Sequence, residues 1–100
     1  MAMVAVSISP GGVGASVGEY VAAALRVLRD QDDVEFEVGP MFTTVEGDLA
    51  RIFELVLQME EAVFAMGADR VGTVLKIDDR RDKPLTMHGK VERVKTLLED

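Results

Sequence analysis

The alternation of apolar and polar residues along the chain predicts four β-strands. Val4, Val6 and Ile8 share one side of the first stretch, and the second alternates strictly. The third stretch is rich in β-branched residues. In the fourth stretch, Val71, Thr73, Leu75 and Ile77 share one side. The predicted strands span residues 2–9, 34–38, 41–46 and 70–78. The second and third, joined by Gly39-Pro40, are close enough to form a hairpin.

Three other stretches repeat apolar residues every three or four positions, which predicts amphipathic helices. The first ends near Arg29, and Ser16 with Glu19 fits a capping box at its start. The second begins after Asp48, a suitable N-cap, and ends before Gly67. The third runs from Met87 to Leu98, with Thr86 as N-cap. The predicted buried face of the second helix is Leu49, Ile52, Phe53, Val56, Val63 and Phe64, flanked by Leu57 and Met59.

The order β-α-β-β-α-β plus a terminal helix predicts an α+β fold: a ferredoxin-like β-α-β-β-α-β sandwich with an additional C-terminal helix. Right-handed crossovers place the first two helices on one face of the sheet and give the strand order 4-1-3-2. A length of 100 residues suits one domain, so we predict a single domain over residues 1–100.

The other face of the sheet is left uncovered by these two helices, and strand alternation predicts its residues. We call it the open face. It consists of Met3, Ala5, Ser7 and Ser9, then Glu35 and Glu37, then Phe42, Thr44 and Glu46, then Gly72, Val74, Lys76 and Asp78. Apolar side chains near its centre indicate that something covers it, either the terminal helix or a second copy of the chain. We therefore expect a homo-oligomer.

Composition excludes several classes of function. The chain has eighteen acidic and eleven basic residues, so its net charge is −7. This charge argues against partners that need a positive protein surface, namely nucleic acid and anionic membranes. The absence of cysteine and a single histidine, His88, leave no recognisable nucleophile–base pair or metal-ligand cluster. We expect no enzyme, metal or cofactor. The apolar runs are far shorter than a membrane span, and the first residues do not have the pattern of a signal peptide. We therefore predict a cytoplasmic protein.

Two segments are suited to a ligand, although each also suits a purely structural connection. Residues 10–16 lead from a strand into a helix N-terminus that can bind an anion, but match neither the dinucleotide nor the phosphate-loop pattern. Residues 43–47 end a central strand, so the Glu46 carboxylate would lie near the N-terminus of the second helix.

Charge is distributed unevenly along the chain. Residues 76–95 hold seven basic and four acidic residues, which leaves −10 for the remainder. Such asymmetry suits contacts between subunits or binding of a phosphorylated small molecule, and solvated ion pairs in a loop are the common alternative.

The combination of several weak motifs is more specific than any one of them. The segments are 4–10, 16–21, 39–41, 44–47, 76–83 and 89–91. In this order and spacing the chain resembles the thiamine-binding protein family, except that Gly-Gly-Val-Gly stands at 11–14 where Leu-Gly-Thr-Gly is expected. The resemblance implies a ferredoxin-like fold, assembly of dimers into tetramers, and non-catalytic binding of thiamine or its hydroxymethylpyrimidine moiety.

For that ligand, the expected binding residues are Ser7, Ser9, Ser16, Phe42, Thr44 and Glu46. The Glu46 carboxylate can pair with an aminopyrimidine edge by charge-assisted hydrogen bonds, and the hydroxyl groups can satisfy the remaining polar atoms. Phe42 or Met41 can lie against the ring. The alternative is a homo-oligomeric structural or interaction module without a small-molecule ligand, whose open face is only an interface.

Overall fold

Seven elements follow one another as the sequence predicts, in a computed structural model that describes residues 1–12, 14, 17–84 and 86–99. They are β1 (Ala2–Pro10), α1 (Gly18–Arg29), β2 (Glu35–Val38), β3 (Thr43–Gly47), α2 (Leu49–Ala65), β4 (Val71–Asp79) and α3 (Met87–Leu98). The predicted α+β ferredoxin-like fold with an added C-terminal helix is confirmed. β3 begins two residues later than predicted, because the turn after β2 continues through Phe42.

The four strands form one antiparallel sheet in the order β2-β3-β1-β4, as the crossover rules predict. β1 pairs with β3 only as far as Val6, opposite Thr43, whereas its pairing with β4 continues to Pro10. In the described part of the chain, the segment from Ser7 to Ser9 therefore has a strand on one side only. This gap beside β1 creates the site described below.

The core lies between one face of the sheet and the helices α1 and α2. Its fully buried side chains are Val4, Leu28, Val45, Ile52, Leu55, Met59 and Val63. The prediction for α2 was partly wrong, because Phe53 and Phe64 are 42% and 41% exposed while Leu55 and Met59 are buried. The buried stripe follows positions 52, 55, 56, 59 and 63, and Phe53 lies one residue off that stripe.

Three of the predicted helix-terminal features are confirmed. The side chain of Asp48 accepts a hydrogen bond from the Arg51 backbone N–H, and Thr86 accepts one from Gly89. Gly67 follows the end of α2 with a φ of 103°, a conformation that favours glycine. The predicted capping box of α1 is wrong, because the helix begins at Gly18 with Val17 as its N-cap and no side-chain cap bond. Ser16 itself lies outside the described residues.

The helix α3 covers only one end of the open face. Its first residue, Met87, is buried at the same end as Met3. Beyond that turn, the apolar residues Val91, Val94, Leu97 and Leu98 are all more than half exposed. The chain is accordingly elongated, with extents of 48 × 29 × 19 Å. Among the described residues, no helix has both the length and the apolar character that crossing a bilayer requires.

Candidate functional site

A cavity of about 240 Å³ opens where β1 runs past the end of β3, and we call it the β1 cavity. The strand supplies Ser7 and Ser9, α1 supplies Val21 and Leu25, and the turn between β2 and β3 closes the third side. Every described residue that lines it has a non-ionisable side chain. Its volume lies below the roughly 300–1,000 Å³ of pockets for drug-sized ligands, so it suits a single-ring compound.

The edge of β1 provides polar groups to this apolar cavity. Backbone N–H and C=O groups point alternately to the two sides of a strand. Between Ser7 and Ser9 only the β4 side is matched by a neighbouring strand. Donors and acceptors on the other side are therefore available to a ligand, as they are on the edge of a sheet.

The turn between β2 and β3 forms the rim of the β1 cavity. A Cβ atom on Gly39 would collide with the backbone carbonyl oxygen of Phe42, so the turn requires glycine there. The turn leaves two large apolar side chains at the rim, since Met41 is 80% exposed and Phe42 is 38% exposed. An aromatic ring and a thioether at the mouth of a cavity are well suited to contact a flat heterocycle.

The structure brings three of the six predicted binding residues together. Ser7, Ser9 and Phe42 line the β1 cavity. Thr44 and Glu46 lie farther along β3 on the open face, and Glu46 is four residues from Phe42, about 13 Å of extended strand. Ser16 lies outside the described residues.

The expectation that Glu46 lies near the N-terminus of α2 is wrong. Its Oε2 atom accepts a hydrogen bond of 2.8 Å from the backbone N–H of Met87, at the start of α3. The reason is strand alternation, because Glu46 points to the open face whereas α2 packs on the opposite face.

Glu46 belongs to a group of three carboxylates that we call the acidic strip: Glu35, Glu37 and Glu46. Glu35 lies directly opposite Glu46 across the β2–β3 pair, and Glu37 lies opposite Thr44. The Nε2 atom of His88 is 3.1 Å from the Glu37 carboxylate. No His, Asp or Glu residues in the described part of the chain are grouped as a metal ion requires. The strip can attract a cationic group along the open face.

Sequence reasoning missed Val21, Leu25 and Gly39 as part of the site. The two α1 residues follow the apolar spacing of a core stripe, and only the early end of β3 exposes them to a cavity. The available signal was the Gly39-Pro40 pair, which a hairpin does not need for a short turn and which indicates a constrained loop.

The sequence profile of the thiamine-binding protein family matches residues 4–95. This chain belongs to the thiamine-binding protein family. The family resemblance inferred from the motifs is thereby confirmed. A UPF0045 protein from Staphylococcus xylosus is 40% identical, over 100% of this chain and 97% of its own length.

Solved structures of other proteins agree with the fold of this family member. The hypothetical protein MJ1052 from Methanocaldococcus jannaschii superposes with a TM-score of 0.86 at 37% identity, over 94% of this chain and 95% of that one. A Thermotoga maritima protein, for which a role in thiamine biosynthesis or salvage has been proposed, superposes with a TM-score of 0.78. It is 25% identical, over 93% of this chain and 97% of its own.

Proposed function

We propose that this member of the family binds thiamine or its hydroxymethylpyrimidine moiety, with the pyrimidine ring in the β1 cavity. The observation that carries the proposal is a cavity of about 240 Å³ in which Ser7, Ser9 and the unpaired edge of β1 lie among apolar residues. An aminopyrimidine carries an amine donor next to a ring-nitrogen acceptor, which complements the alternating donors and acceptors of that edge. The ring face would contact Phe42 and Met41 at the rim.

The acidic strip gives the second ring of thiamine a place in this proposal. The thiazolium of thiamine is positively charged and is joined to the pyrimidine by one methylene group. From the β1 cavity, the open face leads past Thr44 towards Glu37 and Glu46. A pyrimidine in the cavity can therefore direct the cation towards carboxylates that attract it. Ser16 remains a proposed contact from the sequence alone.

Non-catalytic binding of a ligand is the activity that this site supports best. General acid–base and nucleophilic catalysis need a titratable or activated side chain next to the reacting atoms. The described lining of the β1 cavity consists of hydroxyl, thioether, aromatic and aliphatic side chains. We therefore propose a carrier, buffer or sensor for the ligand rather than an enzyme.

We also propose that the protein acts as a dimer or tetramer of identical chains. The exposed stripe of α3, formed by Val91, Val94 and Leu98, is the support for this proposal. A contiguous apolar surface on a helix that stands away from its own domain is typical of a protein–protein contact. The centre of the open face is also uncovered, with Val74 57% exposed.

Thermal unfolding in the presence of candidate ligands tests the binding proposal. A ligand at 100 times its dissociation constant stabilises the native state by about 2.7 kcal/mol. For a domain of this size, that corresponds to a rise in Tm of about 10 °C or more. We expect this rise with thiamine and with hydroxymethylpyrimidine, and none with uracil, a pyrimidine control that has a carbonyl oxygen and a ring N–H in place of the amine and the ring nitrogen. No rise at millimolar concentration would favour an interaction module without a ligand.

A further inference from the structure

A second, larger cavity of about 820 Å³ lies at the other end of the sheet, and we call it the basic cleft. It is bounded by the loop after β4 and by the first turns of α3. Asp78, which lines it, is opposite Met3, whereas the β1 cavity begins at Val6. The two cavities are thus separated by about 10 Å of β1, and a ligand in one leaves the other free.

Four cationic side chains line the basic cleft, in a chain whose net charge is −7. Arg80 and Lys83 come from the loop, and Lys90 and Arg93 come from α3, one turn apart. They share the cleft with a single carboxylate, Asp78, among its described lining residues. A concave surface of one sign concentrates the field and therefore attracts ligands of the opposite sign.

The carboxylates that pair with these side chains leave part of the positive charge uncompensated. The Lys90 ammonium donates to Asp78 over 2.7 Å. Arg80 donates to both oxygens of Asp82, over 2.6 and 3.0 Å. Lys83 and Arg93 form no ion pair with any other residue that the structure describes. Two cations are thus available at once, and the other two are each held by a carboxylate that an anionic ligand can displace.

The first turn of α3 has a glycine, Gly89, where it lines the cleft. Thr86 accepts a hydrogen bond from the Gly89 backbone N–H over 3.0 Å. A Cβ atom at Gly89 would come within 2.7 Å of the Thr86 hydroxyl oxygen, so a larger residue there would have to shift the Thr86 side chain. The side of α3 between Lys90 and Arg93 therefore faces the loop without a bulky side chain in front of it.

We propose that the basic cleft binds the di- or triphosphate group of a small molecule, at a site separate from the thiamine site. Arginine offers two parallel donors to a phosphate and lysine offers a point charge, so the four cations can contact several phosphate groups together. A single phosphate would use only part of them. The volume lies within the range of sites that hold a whole nucleotide-sized ligand.

Isothermal titration calorimetry with three ligands tests this proposal and identifies what carries the phosphates. Pyrophosphate, ATP and thiamine diphosphate are titrated separately at one fixed ionic strength. We expect saturable binding of pyrophosphate and tighter binding of whichever compound also fills the remaining volume. The absence of saturable binding of all three at millimolar concentration would overturn the proposal.

Charge-changing variants distinguish a specific phosphate site from non-specific attraction of anions to the protein. The double variant Lys83→Gln/Arg93→Gln should weaken pyrophosphate binding ten-fold or more. Asp82→Asn, which releases Arg80 without adding a charge of its own, should strengthen it several-fold. The matched controls are Arg26→Gln on α1 and Asp69→Asn before β4, and both should bind as the parent protein does.

Three results would contradict the basic cleft as a phosphate site. One is an equal loss of pyrophosphate binding in Arg26→Gln, and another is unchanged binding in Asp82→Asn. The third is a double variant that binds pyrophosphate normally but loses its self-association in light scattering, since the cations would then serve a subunit contact. Asp82→Asn keeps the test informative if the double variant does not fold.

Discussion

The side-chain carboxylate of Glu46 accepts a hydrogen bond from the backbone N–H of Met87 over 2.8 Å, across 41 residues of sequence. This bond joins β3 to the first turn of α3 on the open face. A carboxylate at a helix N-terminus is favoured by the helix dipole and by the unpaired N–H groups there. The contact explains how a helix with little other packing is held at one end.

Replacing Glu46 distinguishes the contributions of the two rings of thiamine to binding. Glu46→Gln keeps an oxygen that can accept from Met87 but removes the negative charge. Because the thiazolium has no N–H group to donate, the lost interaction is the attraction between opposite charges, and we expect thiamine to bind about ten-fold more weakly. Uncharged hydroxymethylpyrimidine should bind almost as before, since its proposed place is the β1 cavity. Calorimetry with both ligands measures the difference.

Glu61→Gln is the matched control, because Glu61 is an exposed glutamate on α2. It should leave both affinities unchanged. An equal loss for both ligands in Glu46→Gln would place the carboxylate on the pyrimidine instead. Unchanged affinity for thiamine would remove the acidic strip from the binding site.

The aromatic ring at the cavity rim should contribute directly to affinity. Phe42→Ala removes the side chain proposed to contact the pyrimidine face, and we expect binding about ten-fold weaker. Phe53 has nearly the same exposure, 42% against 38%, but lies on α2 away from the cavity. Phe53→Ala should therefore bind normally in the same calorimetric assay, and comparable losses in the two variants would argue against the β1 cavity.

The turn of the cavity rim depends on glycine at position 39. A methyl group there would collide with the Phe42 carbonyl oxygen, so Gly39→Ala must shift the turn. We expect the free energy of unfolding to fall by about 1–3 kcal/mol, the usual cost of overpacking, and ligand binding to weaken. Denaturant unfolding measures the first effect and calorimetry measures the second.

Gly72→Ala is the control for that substitution. A Cβ atom at Gly72, on the open face of β4, meets no described atom within 4 Å. Its free energy of unfolding should stay the same or rise by up to about 1 kcal/mol, because alanine is less flexible than glycine in the unfolded chain. Destabilisation of Gly72→Ala as large as that of Gly39→Ala would show that the turn is not special.

The exposed stripe of α3 should control self-association. Val94→Glu/Leu98→Glu places charges in the stripe, and we expect light scattering to show a shift from oligomer towards monomer. Thr96→Glu adds one negative charge on the opposite side of the helix and should leave the mass unchanged. A parent protein that is already monomeric at micromolar concentration would contradict the proposed assembly.

The Arg80–Asp82 ion pair predicts a lowered pKa for the Asp82 carboxyl group. The hydrogen bond from Arg80 lowers the pKa of Asp82 to about 2. Since the folded-state pKa lies below the unfolded one, the pair favours the folded state above the unfolded pKa, and this contribution is lost as the pH falls through about 2. Arg80→Gln should return the pKa towards its ordinary value in a carboxyl NMR titration.

Asp79 serves as the internal control in the same spectra. Its pKa is lowered by a hydrogen bond from Arg81 rather than from Arg80. It should stay low in Arg80→Gln. A pKa of Asp82 that does not change in this variant would show that Arg80 is not its partner in solution.

Side-chain direction in the sheet was predictable because its period along a strand is two. Val4, Val6 and Ile8 are buried, and Glu46 and Val74 lie on the other face as predicted. Alternation therefore located the strand residues of the open face, whereas Phe42 lies in the turn before β3. It did not reveal the β1 cavity, which depends on where β3 begins.

Long-range contacts were not predictable from local patterns. The turn through Phe42 shortens β3 because of backbone geometry around Gly39. The bond between Glu46 and Met87 depends on the path of the loop before α3. Exposure of Phe53 depends on how α2 is rotated about its axis, which apolar spacing specifies only to within about one residue. Cytoplasmic location stays a prediction.

The most direct test of the central claim is an amide NMR titration of the protein with hydroxymethylpyrimidine. Binding in the β1 cavity predicts saturable shifts concentrated in residues 7–9 and 39–42, with the amides of the basic cleft at 80–83 unmoved. The same ligand tests the pyrimidine site without the cationic ring. Saturable shifts elsewhere, or none at millimolar ligand, would contradict the claim.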